Sequence, residues 1–387
     1  MNAALEIDLG ALRRNVLRLG ALAAPARYAA VVKADAYGHG LVAVARALAP
    51  DVAAFCVYRA DEAAALRAAG IETPILILGP VEARELASVA HNGAALTLWS
   101  DGAFARDVAR AARERGAPLG VHAKIDTGVT RLGLEPDGAA AAIASYAARP
   151  EFALRGIYTH LAAAEELESA YTNLQLDRFE RALGPLQRLV AERGIVRHAA
   201  ASAAAMLFPR SRFELVRAGI ATYGIWPSEA TRAAVRDALA LEPALTWKTR
   251  LVVVRDVEAG RSIGYGCTFV TARPSRIAVV PIGYAEGLPR ALSNAGCALV
   301  RGRRVPFVGR VCMNMSFLDV TDAAGAAPGD TVTLIGRDGA ESIDANELAG
   351  AAGTIGYELV ARLPAEVPRT YVADSSAIAS RTSIVPS

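Results

Sequence analysis

Of the 42 basic residues in this 387-residue chain only three are lysines, Lys33, Lys124 and Lys248, and the other 39 are arginines. A chain that uses arginine wherever a positive charge will do marks each lysine as a place where the amine itself can matter. Only an amine loses its proton near neutral pH or forms a Schiff base with a carbonyl; a guanidinium does neither. Lys33 closes one short apolar run and Lys124 another, with Arg131 soon after it. Gly219 and Ile220 follow an apolar stretch that carries Arg217, and Ser202 follows a further one. Backbone N–H groups at such a turn, with a hydroxyl beside them, can cradle a phosphate. An amine and a phosphate cradle sharing one mouth are what pyridoxal 5′-phosphate (PLP) needs, because its aldehyde takes the lysine while its phosphate is anchored separately.

Something must bring these residues together. Up to about residue 218 the chain alternates short apolar runs with alanine-rich amphipathic stretches, the pattern of parallel strands joined by crossover helices. Eight strands are predicted, at 29–33, 53–58, 75–78, 95–99, 120–125, 154–159, 196–199 and 215–218, with helices between them, for example at 60–69, 103–115 and 174–192. Eight such units suggest a (β/α)8 TIM barrel, in which reacting groups sit at the C-terminal ends of the strands. Those ends carry Lys33, Lys124 with Arg131, His160, Ser202 and Arg217. A doubly wound open sheet shares the alternation, and the strand count alone does not choose between the two.

After about residue 228 the texture turns β-rich, with apolar runs at 246–254, 276–282, 297–300, 305–308, 317–320 and 331–335 punctuated by Gly and Pro. The expected organisation is an α/β barrel over residues 10–230, followed by a mainly-β C-terminal domain over 231–387 that residues 1–9 join as an edge strand. Lys248, within Trp247-Lys248-Thr249, is expected to be a solvent-facing strand residue of that domain.

Composition narrows the class. With 53% hydrophobic and 21% charged residues the chain can bury substantial cores. Its formal net charge of +3 is spread without a basic run, which indicates a small-molecule substrate rather than nucleic acid or a membrane surface. No stretch reaches the roughly 18 apolar residues of a membrane span, and the start lacks the basic and apolar regions of a signal peptide, so a cytoplasmic protein is expected. Cys56, Cys267, Cys297 and Cys312 form no close pair; buried reduced thiols and no metal site are expected.

Longer motifs sharpen the reading. Val31-Val32-Lys33-Ala34-Asp35-Ala36-Tyr37-Gly38-His39-Gly40 resembles the PLP-lysine signature of the alanine racemases, PLP enzymes of fold type III. The segment from His122 to Gly133 resembles the family's substrate-arginine segment, and Arg217-Ala218-Gly219-Ile220-Ala221-Thr222-Tyr223-Gly224 its phosphate segment. Gly264-Tyr265-Gly266-Cys267-Thr268-Phe269 resembles its second-base segment; Ile282-Gly283-Tyr284-Ala285-Glu286-Gly287 and Gly309-Arg310-Val311-Cys312-Met313-Asn314 also fit, in the family's order.

The resemblance implies an isomerase that interconverts L- and D-alanine, in which Lys33 holds PLP and exchanges the α-proton on one face of the substrate while Tyr265 does so on the other. Elementary chemistry agrees, since inversion needs an acid/base on each side; a single base would return the proton to the face it left. By the same resemblance His160 is the partner of Tyr265 and Arg217 faces the pyridine nitrogen. Arg131 meets the substrate carboxylate, and Lys124 is a lysine that becomes a carbamate in many members. Tyr37, Ser202, Gly219, Ile220 and Tyr357 serve the phosphate, Tyr284 guards the access corridor and Met313 lies near the substrate. A homodimer with composite active sites, cytoplasmic and supplying D-alanine for peptidoglycan, is the further implication. The chain departs from the family pattern at Ala201, Glu286 and Asn314, where the family commonly has Asn, Asp and Asp. Competing readings are a racemase of the same fold acting on serine or several amino acids, a PLP-binding regulatory protein without turnover, and a PLP decarboxylase. The β-rich half with Tyr265 argues against the second, and the absence of a decarboxylase cysteine motif and glycine-rich phosphate run against the third.

Overall fold

The computed structural model describes residues 3–100 and 102–373. The chain opens with strand β1 (Ala3–Asp8), whose last residue caps helix α1 (Leu9–Ala23): Asp8 Oδ1 accepts the Ala11 N–H at 2.8 Å. Eight parallel strands follow, β2 (Arg27–Val31), β3 (Ala54–Val57), β4 (Ile75–Ile77), β5 (Ala95–Leu98), β6 (Leu119–Lys124), β7 (Phe152–Tyr158), β8 (Val196–His198) and β9 (Leu215–Ala218). They pair in the order β8-β7-β6-β5-β4-β3-β2-β9. Phe55-Cys56-Val57 and Ile75-Leu76-Ile77 are buried without alternation, as strands covered on both faces must be.

The sheet is nearly closed, and the doubly wound alternative is excluded. Between β8 and β9 there is no ladder; the seam is bridged by Glu214 N–H donating to Arg197 O (3.2 Å) and Arg217 N–H to Ala200 O (2.9 Å). The Glu214 carboxylate also takes the Arg197 N–H at 2.7 Å. Two helical expectations change in detail. The helix predicted at 174–192 is two helices, Tyr171–Leu183 and Gln187–Arg193, because Pro185 in the intervening Gly184–Leu186 turn cannot continue the ladder. Lys33 lies two residues beyond the end of β2 rather than on it.

The remaining strands are β10 (Leu245–Arg250), β11 (Val253–Val257), β12 (Ser262–Ile263), β13 (Phe269–Val270), β14 (Ser275–Val280), β15 (Cys297–Val300), β16 (Arg303–Pro306), β17 (Ser316–Asp319), β18 (Thr331–Asp338), β19 (Glu341–Ile343) and β20 (Arg369–Val372). One sheet runs β16-β15-β18-β10-β1-β20 with β19 on β18; a second runs β11-β14-β17, and β12 and β13 form a hairpin. β1 pairs antiparallel with β10 and parallel with β20, so the two ends of the described chain lie side by side. The run predicted as one strand at 246–254 is β10 and β11, in different sheets. Lys248 is half-buried in β10 between two neighbouring strands rather than solvated. All four cysteines are free, but only Cys56 is buried and Cys267 is exposed, a correction to the expected burial. Residues 374–387 and 1–2 of the expected β-rich region lie outside the described residues. Among the described residues no helix is long and apolar enough to cross a membrane.

Candidate active site

At the end of β2 the backbone does something costly. Ala34, Asp35, Ala36 and Tyr37 take φ between +52° and +54°, a left-handed turn of four non-glycine residues. Left-handed helix costs an L-residue about 1–2 kcal/mol each, so the surroundings must hold this turn in place. Glu62 does much of that: one carboxylate oxygen accepts the Ala34 N–H (2.6 Å) and the other those of Tyr58 (2.9 Å) and Arg59 (3.0 Å). Asp35 accepts the Leu41 N–H at 2.7 Å, and Arg369 of β20 donates to Gly38 O at 2.9 Å. The turn directs Lys33 into the mouth of the barrel.

That mouth is a cavity of about 1030 Å³ whose lining includes Lys33, Tyr37, Lys124, Arg131, His160, Ser202, Arg217, Gly219, Ile220 and Tyr357. Every site residue expected from the barrel half is therefore on one wall or another of the same space. Burial, with Arg131 nearby, pulls the Lys33 ammonium below its usual range, and the same causes bring Lys124 down to about 8. Burial followed by the Arg217 charge holds His160 down to about 3, so it is a neutral imidazole at physiological pH. The cavity thus sets the Arg131 and Arg217 guanidinium groups around a neutral imidazole, which suits an anionic guest on that side, while Glu165, Glu166 and Glu358 line the same space.

Arg217, on β9, is fully enclosed. Its guanidinium donates to Thr159 O (2.9 Å), Ala199 O (3.2 Å) and His198 Nδ1 (2.7 Å), and His198 Nε2 lies 2.9 Å from His122 Nδ1. Tyr158 stacks on His198 with ring centroids 4.7 Å apart. Beside it the Ser202 hydroxyl oxygen accepts the N–H groups of Gly219 (3.0 Å) and Ala221 (3.3 Å), which leaves its own O–H to donate. A Cβ on Gly219 would sit 2.4 Å from the Tyr37 hydroxyl, so only glycine lets that phenol approach the turn. Tyr357 completes this corner, its ring 6.5 Å from that of Tyr37 and its hydroxyl donating to Glu165 at 3.1 Å.

The donor set fits PLP: an amine able to lose its proton, a guanidinium held by acceptors alone, and hydroxyls beside a glycine turn. Arg131 is carried by a loop built on Asp126, whose carboxylate accepts the N–H groups of Gly128 (2.9 Å), Val129 (2.8 Å), Thr130 (3.1 Å) and Arg131 itself (2.7 Å). Burial works against that carboxylate, but the four donors hold it below its ordinary range. Among the described residues no three His, Cys, Asp or Glu side chains gather as a metal site.

Tyr265, Tyr284 and Met313 do not line the cavity. They stand on the β-rich half, 73%, 44% and 57% exposed. Their segments are tied into one unit: Asn294 donates to Thr268 Oγ1 (3.1 Å) and accepts the Gly309 N–H (2.6 Å), while Tyr284 N–H donates to Cys312 O (3.1 Å) and Ala285 N–H to Met313 O (2.9 Å). Beneath the Tyr265 turn, Ile263, Ile277 and Val308 pack with Phe269 and Phe317.

Sequence reasoning missed Glu62, Glu165, His198 and His122. His198 ends β8 and was open to the same strand-end rule that found His160; Glu62 reaches Ala34 across 28 residues, and no local spacing signals that.

Against known proteins, the profile described as "Alanine racemase, N-terminal domain" matches residues 7–227 and that described as "Alanine racemase, C-terminal domain" residues 244–371. An alanine racemase of Symbiobacterium thermophilum is 43% identical over 367 residues, covering 95% of this chain and 96% of its own. Among solved structures, the alanine racemase of Clostridium difficile 630 superposes with a TM-score of 0.88 at 33% identity, over 96% of each chain. That of Bacillus anthracis, with bound L-Ala-P, gives 0.85 at 36%, over 96% of this chain and 95% of its own.

Proposed function

The chain belongs to the alanine racemase family and is an isomerase that racemises alanine, and from that premise we propose that it works with PLP by two-base proton transfer between Lys33 and Tyr265. PLP, joined through its aldehyde to an amino acid, withdraws electrons from Cα and makes its proton acidic. What carries the reading is the convergence of Lys33, Arg217, the Ser202–Gly219 turn and His160 on one cavity.

Lys33 would hold the cofactor and would move the α-proton on one face; its depressed ammonium favours the neutral amine a base must be. Tyr37, Tyr357, Ser202 and the backbone at Gly219 and Ile220 hold the phosphate. Arg217 would serve the pyridine nitrogen and, able only to donate, would keep that nitrogen unprotonated, which would moderate the electron withdrawal and so limit side reactions. Arg131 pairs with the substrate carboxylate, for which a two-pronged donor is suited. Lys124, with its ammonium down at about 8, carries enough neutral amine to add carbon dioxide, losing one proton to become a carbamate anion that orients Arg131.

On the opposite face Tyr265 moves the proton. Neutral His160 offers an acceptor for the hydrogen of the Tyr265 phenol. The exposure of Tyr265, Tyr284 and Met313 on one tied surface supports a homodimer in which each chain presents them to its partner's barrel mouth, Tyr284 guarding the corridor and Met313 near the substrate. We assign residues 10–230 to the PLP-binding barrel and residues 1–9 with 231–387 to the β-rich domain. The enzyme is placed in the cytoplasm, supplying D-alanine for peptidoglycan.

Mixing inactive Lys33→Ala chains with inactive Tyr265→Phe chains tests the shared site. Heterodimers pair one intact Lys33 with one intact Tyr265 and regain activity; no recovery despite demonstrated subunit exchange contradicts sharing.

A further inference from the structure

On the β-rich half, Asn314 and Glu286 touch each other across two turns. The Asn314 amide donates to one carboxylate oxygen of Glu286 at 2.7 Å, and the other oxygen accepts the Gly283 N–H at 2.8 Å. Glu286 therefore closes its own 3-10 turn and reaches the neighbouring segment with one side chain. The two segments are in backbone contact: a Cβ at Gly283 would fall 2.2 Å from Cys312 O and 2.3 Å from Met313 O. Ser316 Oγ donates to Ile282 O at 2.7 Å at the far end of the same junction. From this joined pair of turns Tyr284 and Met313 project outward.

Resting on the composite-site reading above, we propose that Glu286 and Asn314 are a matched pair of positioning residues that fix Tyr284 relative to Met313 and thereby set the size of side chain the site admits. The chemistry of the pair is one-sided. A carboxylate can only accept, so its partner must donate, and an amide at 314 does so while an aspartate cannot. Asn314→Asp would instead set two acceptors face to face with no hydrogen to share between them. Exchanging the groups, Gln at 286 and Asp at 314, restores one donor facing one acceptor and leaves an oxygen for the Gly283 N–H.

The test is steady-state kinetics on the PLP-loaded full chain with L-alanine and L-serine, for the unaltered protein, Asn314→Asp, Glu286→Gln/Asn314→Asp and Tyr284→Ala. Loss of one charge-assisted hydrogen bond corresponds to roughly tenfold in an equilibrium, so Asn314→Asp raises KM for alanine by up to roughly tenfold with kcat within about twofold. It also raises serine kcat/KM relative to alanine, and the double variant returns both constants. Unchanged constants in Asn314→Asp, with altered ones in Tyr284→Ala, overturn the pair while the composite site stands. Unchanged constants in Tyr284→Ala take Tyr284 out of the site and overturn the proposal, while recovery of activity in mixed Lys33→Ala and Tyr265→Phe chains still reports on the composite site. A fall in kcat with KM unchanged, or a double variant no better than Asn314→Asp, marks a structural defect and overturns the proposal. If Asn314→Asp does not fold, a folded double variant with the original constants supports the pair, and a double variant that folds with altered constants overturns it.

Discussion

Arg217 Nη1 lies 2.7 Å from His198 Nδ1 inside the barrel, and this contact fixes where the protons are. A guanidinium only donates, so Nδ1 carries no hydrogen; a neutral His198 then has its hydrogen on Nε2 and donates it to His122 Nδ1, 2.9 Å away. Burial, and after it the Arg217 charge, holds His198 well below its ordinary pKa, which keeps it in that form. His198→Leu leaves Arg217 with one acceptor fewer in a buried site. We expect a stability loss of about 1–3 kcal/mol by urea titration and weaker retention of PLP through dialysis. Unaltered stability and retention would mean that the histidine does not hold the arginine.

The left-handed turn that aims Lys33 depends on a carboxylate distant in sequence. Glu62→Ala strips the acceptor from three backbone N–H groups, at 2.6, 2.9 and 3.0 Å, and predicts a loss of about 3 kcal/mol or more together with a large drop in the fraction of Lys33 that binds PLP. Absorbance of the bound cofactor during titration measures the second effect. Full occupancy in a destabilised variant would show that the turn forms without Glu62.

Acid should weaken the fold through its histidines. Burial is the leading cause in each: His39 is brought down to about 4, His122 and His160 to about 3, and His198 well below its usual range. Unfolded, they titrate near 6.5. Above pH 6.5 neither state binds these protons and the stability is complete; below it the unfolded chain binds them and the folded one does not. Each then costs up to about 1.4 kcal/mol per pH unit, down to its folded pKa. Urea midpoints therefore fall steeply from pH 6.5 to 5. A flat profile across that lower range would show that these imidazoles protonate in place.

Removing one of two bases should separate exchange from inversion. Tyr265→Phe lowers interconversion by roughly 10²–10⁴-fold, while one enantiomer of alanine still exchanges its α-hydrogen with solvent through Lys33. Exchange of both enantiomers at undiminished rates would give Tyr265 no part in proton transfer.

The eight barrel strands were legible to within one or two residues because strands covered on both faces read as unbroken apolar runs, as in Ile75–Ile77. The strand-end rule then placed Lys33, Lys124, His160 and Arg217 at one mouth, where the cavity gathers them. The left-handed turn was not legible: Ala34, Asp35, Ala36 and Tyr37 have side chains that disfavour it, and what holds it comes from Glu62 and Arg369. Long-range pairing also hid the split of 246–254, whose two strands follow each other closely in the chain but belong to different sheets. The placement of Tyr265, Tyr284 and Met313 away from the cavity could not be read from spacing either, since motif order carries no information about which face a segment occupies.

Incubating the PLP-loaded protein with L-alanine in deuterated water tests whether Lys33 and Tyr265 invert Cα with PLP. D-alanine carrying deuterium at Cα is expected, and neither product nor exchange with Lys33→Ala. Deuterium entering L-alanine without D-alanine would contradict the second base, and D-alanine formed undiminished by Lys33→Ala would contradict the first.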